Sequence, residues 1–245
     1  IITNKKFKHF KHNPSNKNSL SGNGVTAICE DRDGIVWIGT ELNGLNRFDM
    51  KSGNFTNYVN DPNNKYSLAS DGVSDIKEDK DGNLWIVTDG SGFCRFDKKS
   101  NRFIRYQNDP NNNTSLPIDQ VSVLLEDKFG DLLIGTFGAG LLKYDRKKNS
   151  FTKINYNPDE PDDITATGIY CLAEDLNGTL WIGTYSNGLF IYDRVSGKSK
   201  WYYNIPGNAE SISDNIISSI LMSKDGSIWI GTSNGINKFD PTSEK

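Results

Sequence analysis

The chain is poor in the residues that most chemistry needs. It has two histidines, His9 and His12, both near its start, and three cysteines, Cys29, Cys94 and Cys171, with neither CxxC spacing nor an even count. That pattern speaks against a zinc site or a disulfide framework and reads as three buried free thiols. No motif indicates a metal or a cofactor. No run of 18 or more apolar residues is present, so no transmembrane helix is expected, and "IITNKKFKHFKHNP" lacks the apolar core of a signal peptide. With a net charge of −3 and scattered lysines, the chain has no electrostatic footprint for nucleic acid. It opens on Ile rather than Met, as an excised piece of a larger protein would, and any targeting signal would then lie outside it.

Aromatic residues and glycine are plentiful instead: 12 Phe, 10 Tyr, 5 Trp and 23 Gly in 245 residues, a β-rich composition. The glycines punctuate a repeat. Trp37, Trp85, Leu133, Trp181 and Trp229 are each 48 residues apart, and Pro14, Pro62, Pro110, Pro158 and Pro206 keep the same spacing. So do Leu20, Leu68, Leu116, Ile164 and Ile212. Three landmarks agreeing over five copies establish the period.

One repeat reads as four strands, Val25 to Asp31, Ile35 to Thr40, Gly44 to Asp49 and Asn54 to Val59. Asp33-Gly34 forms the first hairpin turn and Ser52-Gly53 lies in the last. No segment has a helical period over a helical length, which sets aside the helical solenoids. Four strands in 40–50 residues mark a β-propeller blade. The expected fold is therefore all-β, a propeller of four-stranded antiparallel blades forming one domain over 1–245. Its repeat units run 13–59, 60–107, 108–155, 156–203 and 204–240. The chain begins in fourth-strand phase ("FKHF", Phe7 to Phe10) and ends in third-strand phase ("GINKFD"). Residues 5–12 are thus expected to complete the last blade by pairing with Ile236–Asp240, closing a five-bladed ring without an open edge. A cut from a larger propeller would show the same phase. At Leu133, the repeat without its Trp, Phe129 or Phe137 is expected to fill the space.

The unit "VTAICEDRDGIVWIGTELNGLNRFD", with "NPSNKNSLS" before it, resembles the two-component regulator propeller repeat, and the likeness runs through all five copies. That family is found in extracytoplasmic sensor regions of bacterial hybrid histidine kinases and related signalling proteins. The resemblance implies a periplasmic or extracellular ligand-sensing module, often for carbohydrate fragments, coupled through a membrane to an output. Family sensors usually carry more repeats, an immunoglobulin-like domain, a membrane span and a catalytic module, none of which this chain has. It also implies that the chain is not itself an enzyme and that its partners are a small ligand, such as an oligosaccharide, and further domains of a larger sensor.

Positions alike in all copies serve the blade; positions that differ are where an asymmetric function can sit. The loops after the second strands offer Glu41 and Asn43, Asp89 and Ser91, Phe137, Tyr185 and Asn187, and Ser233 with Asn234. Acids, amides, a hydroxyl and two rings around one opening suit a sugar, although turns favour polar types anyway. The inter-blade loops add Asn23, Asp71, Asp119, Thr167 and Asn215. Asp119-Gln120 breaks the glycine pattern there. Tyr170 stands where the other copies have Thr26, Ser74, Ser122 and Ser218; it either plugs the channel or meets a ligand. The carboxylates of "EDRDG" read as a solvated turn rather than a calcium loop. Two alternatives to a sensor stay open: an interaction propeller whose rim binds a protein, and a glycoside hydrolase using Glu41 and Asp89.

Overall fold

The computed structural model describes residues 7–154, 164 and 167–241. Residues 5 and 6, and the fourth-repeat loop around Pro158, lie outside the described residues. The described chain is all-β with no α-helix, and five antiparallel sheets follow one another along it.

Two compact units emerge, Ile1–Asp89 with Phe93–Arg105, and Gly90–Gly92 with Tyr106–Lys245. The first unit holds β1 (Val25–Glu30), β2 (Ile35–Thr40), β3 (Leu45–Asp49) and β4 (Asn54–Tyr58) as one sheet in sequence order. Its second sheet is β5 (Val73–Glu78), β6 (Leu84–Thr88), β7 (Phe93–Asp97) and β8 (Arg102–Tyr106). The second unit begins with β9 (Val121–Glu126), β10 (Leu132–Thr136), β11 (Leu141–Asp145) and β12 (Ser150–Lys153). Then come β13 (Ile169–Glu174), β14 (Thr179–Thr184), β15 (Leu189–Asp193) and β16 (Lys198–Tyr202). The last sheet has three strands, β17 (Ile217–Met222), β18 (Ile228–Thr232) and β19 (Gly235–Phe239). The strand limits expected for the first repeat hold to within one residue.

The first hairpin of each of the first four sheets is built around one aspartate, Asp31, Asp79, Asp127 or Asp175, where the fifth has Ser223. Asp31 Oδ1 accepts the backbone N–H of Asp33 and of Ile35, each at 3.0 Å, and Oδ2 accepts the indole N–H of buried Trp37 at 2.8 Å. Gly34 completes the turn at φ 75°, which glycine alone adopts without a Cβ penalty. Asp79 treats Trp85 in the same way, at 2.8 Å, and Asp175 reaches Trp181 at 3.4 Å. The carboxylates of Asp31 and Asp79 serve their own hairpins and are buried, which corrects the expectation of a solvated turn; Asp31 Oδ2 also meets Lys98 of the next sheet at 3.0 Å.

Within the first unit, Trp37 and Leu45 of one sheet join Val73 and Ile76 of the next in a single apolar cluster. In the second unit Leu133 and Leu141 cluster with Ile169, and Trp181 and Leu189 with Ile217.

Two further expectations are corrected. Phe7–Phe10 forms no strand, and β19 pairs with β18 alone among the described residues. Phe10 instead rests on Phe48 and Phe55, at ring centroids of 4.9 and 5.9 Å. The stacked rings of the β3–β4 hairpin give it an apolar seat that needs no ladder. Nor does either phenylalanine fill the space at Leu133. With no indole to satisfy, Asp127 Oδ2 accepts two hydrogen bonds from Arg194, at 2.6 and 2.8 Å, and Phe129 lies over that guanidinium at 4.6 Å.

Candidate ligand-binding rim

In every sheet the first residue of the loop after the second strand donates its N–H to the residue just before the first strand. Glu41 bonds Gly24 O, Asp89 bonds Gly72 O, Phe137 bonds Gln120 O, Tyr185 bonds Gly168 O and Ser233 bonds Ile216 O, at 2.8–3.1 Å. Both variable loops of a sheet therefore share one end of it, which is how the candidate residues were grouped from sequence.

Several candidates prove to have structural employment. Thr40 Oγ1 accepts the Asn43 N–H and donates to Gly44 O, and Thr184 and Thr232 hold Asn187 and Asn234 in the same turn. The Asn234 amide donates to Ser213 O and Asn187 Oδ1 accepts from Ser186. Asp119 Oδ1 accepts the Asn108 N–H at 2.6 Å, the bond that Asn23, Asp71 and Asn215 make in their own repeats. Asp119 is therefore a member of the repeat's loop clamp despite its neighbour Gln120. Ser91 belongs to the second unit, beside Gly92, whose N–H bonds Asp119 O.

In the first unit the rim is polar. Glu41 and Asp89 flank Gly72: a Cβ there would stand 3.1 Å from the Glu41 carbonyl oxygen and 2.8 Å from Asp89 Cβ. Asn43 lines a groove of about 490 Å³ with His12, Lys17, Leu42 and Asp71.

In the second unit the rim is aromatic. Phe137, Tyr170 and Tyr185 come together from two sheets with all three centroids 6.1 Å apart. Tyr170 and Tyr185 are nearly parallel, at 13°, and Phe137 stands edge-on to both, at 79° and 90°. All three keep open surface, at 39, 42 and 55% exposure. Edge-to-face and offset contacts of this kind are each worth about 0.5–1.5 kcal/mol, so the rings hold one another in place. Tyr170 thus joins a surface cluster instead of standing alone. Gly168 was not among the expected site residues, yet it makes room for the cluster. A Cβ there would meet Phe137 Cδ1 at 3.0 Å. Its signal was a retained glycine at a position where the preceding repeat has Gln120.

Four segments of the chain, residues 19–41, 67–90, 163–186 and 211–234, match the family described as two component regulator propeller. They are two-component regulator propeller repeats. The third repeat, which carries Leu133 and Gln120, is the copy without a match. No protein with a curated description matches the sequence. Among solved structures, the chain is similar to the extracellular domain of a hybrid two component system from B. thetaiotaomicron, at 25% identity and a TM-score of 0.77, over 92% of this chain and 30% of that one. A second extracellular domain from B. thetaiotaomicron, of a one component system, aligns at 24% identity and a TM-score of 0.71, over 88% of this chain and 27% of that one. Virginiamycin B lyase from Staphylococcus aureus shares the fold at 18% identity and a TM-score of 0.60, over 90% of this chain and 72% of that one. The chain therefore spans under a third of the two extracellular domains.

Proposed function

We propose that the chain is a ligand-sensing part of an extracytoplasmic propeller in a two-component signalling protein, and that it binds a small neutral ligand with an apolar ring face, such as a glycan fragment. The observation that carries this reading is the Phe137–Tyr170–Tyr185 cluster. Large rings occupy positions filled by Glu41, Asp89 and Ser233, or by Thr and Ser, in the other repeats, and the backbone glycine beneath them is kept. A sugar ring stacks its C–H face on such a surface, and rings already in place reduce the ordering cost of binding. The two extracellular domains from B. thetaiotaomicron support the compartment and the signalling context.

A thermal-shift screen with neutral oligosaccharides tests it. A hit should raise the midpoint with ligand concentration as mass action requires. Tyr170→Ala and Phe137→Ala should abolish that rise; each also removes two ring contacts of about 0.5–1.5 kcal/mol, so the ligand-free midpoint falls and the rise is read against each variant's own midpoint. A panel without a hit, or a hit insensitive to both variants, overturns the assignment. Release of reducing sugar would instead establish a hydrolase, and capture of a protein through the rim an interaction module.

A further inference from the structure

The first and second sheets, both in the first unit, share a pocket of about 430 Å³ at their hairpin-turn end, away from the loops of the rim. Trp37 and Phe96 are its buried lining, with ring centroids 5.1 Å apart. Tyr58 walls one side, and its O–H donates to Asn101 of the facing hairpin at 2.9 Å. Asn101 stands at φ 52°, where the first and fourth repeats have Gly53 and Gly197 at φ 73° and 72°. Asparagine tolerates that region better than most side chains, and here it holds the Tyr58 ring in place.

Arg47 lines this pocket and differs from its counterparts. In the second and third sheets the third-strand cation has a polar partner across the sheet: Arg95 donates to Asn83 at 3.4 Å, and Lys143 pairs with Asp131. In the first sheet Ile35 takes the partner's position. Among the described residues the Arg47 guanidinium accordingly has neither a hydrogen bond nor an ion pair. The acids of the lining, by contrast, each hold a donor already. Asp31 holds its turn amides, Trp37 and Lys98; Asp33 holds Lys98 at 2.9 Å; Asp49 accepts the Lys51 and Ser52 N–H groups at 2.9 and 3.3 Å. The Lys51 ammonium and the Asn101 amide nitrogen also lack acceptors among the described residues. What the pocket has to offer is therefore mainly donors. Its charges, Arg47, Lys51 and Lys98 against Asp31, Asp33 and Asp49, sum to zero, which suits one negative charge on the Arg47 fork and opposes a dianion.

We propose that this pocket binds a small monoanionic hydroxy acid, its carboxylate bidentate on Arg47 and flanked by Lys51 and the Asn101 amide. The body of the ligand is polar because Trp37 and Phe96 are only 1% and 5% exposed, so the surface a ligand meets is that of the charged and amide side chains. The volume falls in the ordinary range for small-molecule pockets. The site does not rest on the rim ligand, since the two share no residue.

Isothermal titration calorimetry at pH 8 with lactate, gluconate and quinate tests it, with sorbitol as the uncharged arm and inorganic phosphate as the dianionic one. At least one of the acids should bind at one site per chain, and sorbitol and phosphate should not. Arg47→Gln should abolish that binding. Arg47→Lys keeps the charge but loses the fork, and should weaken it about tenfold. Phe137→Ala, in the rim, should leave it unchanged. Because Arg47 has no partner within the described residues, its variants should keep the wild-type circular dichroism and urea midpoint. If Arg47→Gln does not, Lys51→Gln at an exposed position replaces it and should weaken binding about threefold. No binding by any of the three acids, binding that a folded Arg47→Gln or Lys51→Gln variant retains in full, or phosphate binding as tightly as the acids would each overturn the proposal.

Discussion

Asp31→Asn separates the scaffold from the site. The substitution keeps the side-chain shape and one acceptor, which the Asp33 and Ile35 N–H groups can retain. The amide nitrogen then takes the place of Oδ2, facing the Trp37 indole N–H at 2.8 Å and the Lys98 ammonium at 3.0 Å, both donors. An indole N–H left unsatisfied in a buried site costs about 1–3 kcal/mol. Lys98 is part-exposed and keeps Asp33 at 2.9 Å and Glu78 at 3.2 Å, so its share stays below about 1 kcal/mol. The expected loss is about 2–3 kcal/mol. Trp37→Phe removes the donor, so Asp31→Asn should cost only about 1 kcal/mol in that background, a coupling of about 1–2 kcal/mol. Urea unfolding of the four proteins, followed by circular dichroism, measures the cycle. Additivity to within about 0.5 kcal/mol would refute the assignment of Asp31 as the indole's acceptor. Any ligand-induced shift should survive Asp31→Asn, because the hairpin turn lies at the opposite end of the strand from the rim.

Two further outcomes follow from ionisation and burial. Burial raises the Glu174 carboxyl above its ordinary range, Asp127 adds to this, and bonds from the Lys128 N–H and charge from Arg194 only partly offset it. Between the ordinary and the raised value the native state therefore binds this proton more than the unfolded state does. Stability on this account is greatest below the ordinary carboxylate pKa and falls as pH rises through the raised value. Glu174→Gln should be more stable than the wild type at pH 7 by urea midpoint, with the difference vanishing near pH 4; an equal difference at both would contradict it. Burial raises all three thiols, Cys94 and Cys171 to about 12; Cys94 is fully buried, while Cys29 and Cys171 keep part of their surface. A thiol reagent on the native protein should therefore label Cys29 before Cys171 and reach Cys94 only in denaturant.

The blade was legible because its determinants are local and repeated: the turn glycine, the alternating strand, and the Asp and Trp six residues apart. What was not legible depends on partners far along the chain. Nothing near Asp127 announces Arg194, 67 residues away, and nothing near Asp31 announces Lys98, at the same separation. Phe10 was assigned by phase to the last sheet, yet a ring can satisfy itself by stacking on Phe48 and Phe55, and phase carries no information on that choice. Among the site candidates, comparison between repeats picked out the odd rings, which the structure brings together. It could not tell that Asp119 performs a clamp shared with Asn23, because aspartate and asparagine look different in sequence while offering the same acceptor.

The departures of the third repeat gather on one junction. Loss of the indole at Leu133 frees Asp127 Oδ2, and Arg194 from the hairpin that follows β15 takes it, tying the third and fourth sheets together at the turn end of β10. At the rim end of the same strand, Phe137 meets Tyr170 and Tyr185 of the fourth sheet. Asp31 makes a comparable tie beside its full Asp–Trp pair, its Oδ2 meeting both the Trp37 indole at 2.8 Å and Lys98 of the next sheet at 3.0 Å, whereas Asp127 Oδ2 takes two bonds from one guanidinium. The aromatic rim therefore stands on a junction pinned at both ends before any ligand arrives. A ligand seated on these rings has little rearrangement left to drive. Its effect should reach the rest of a sensor as added rigidity between two sheets, read as a raised thermal midpoint with unchanged secondary structure.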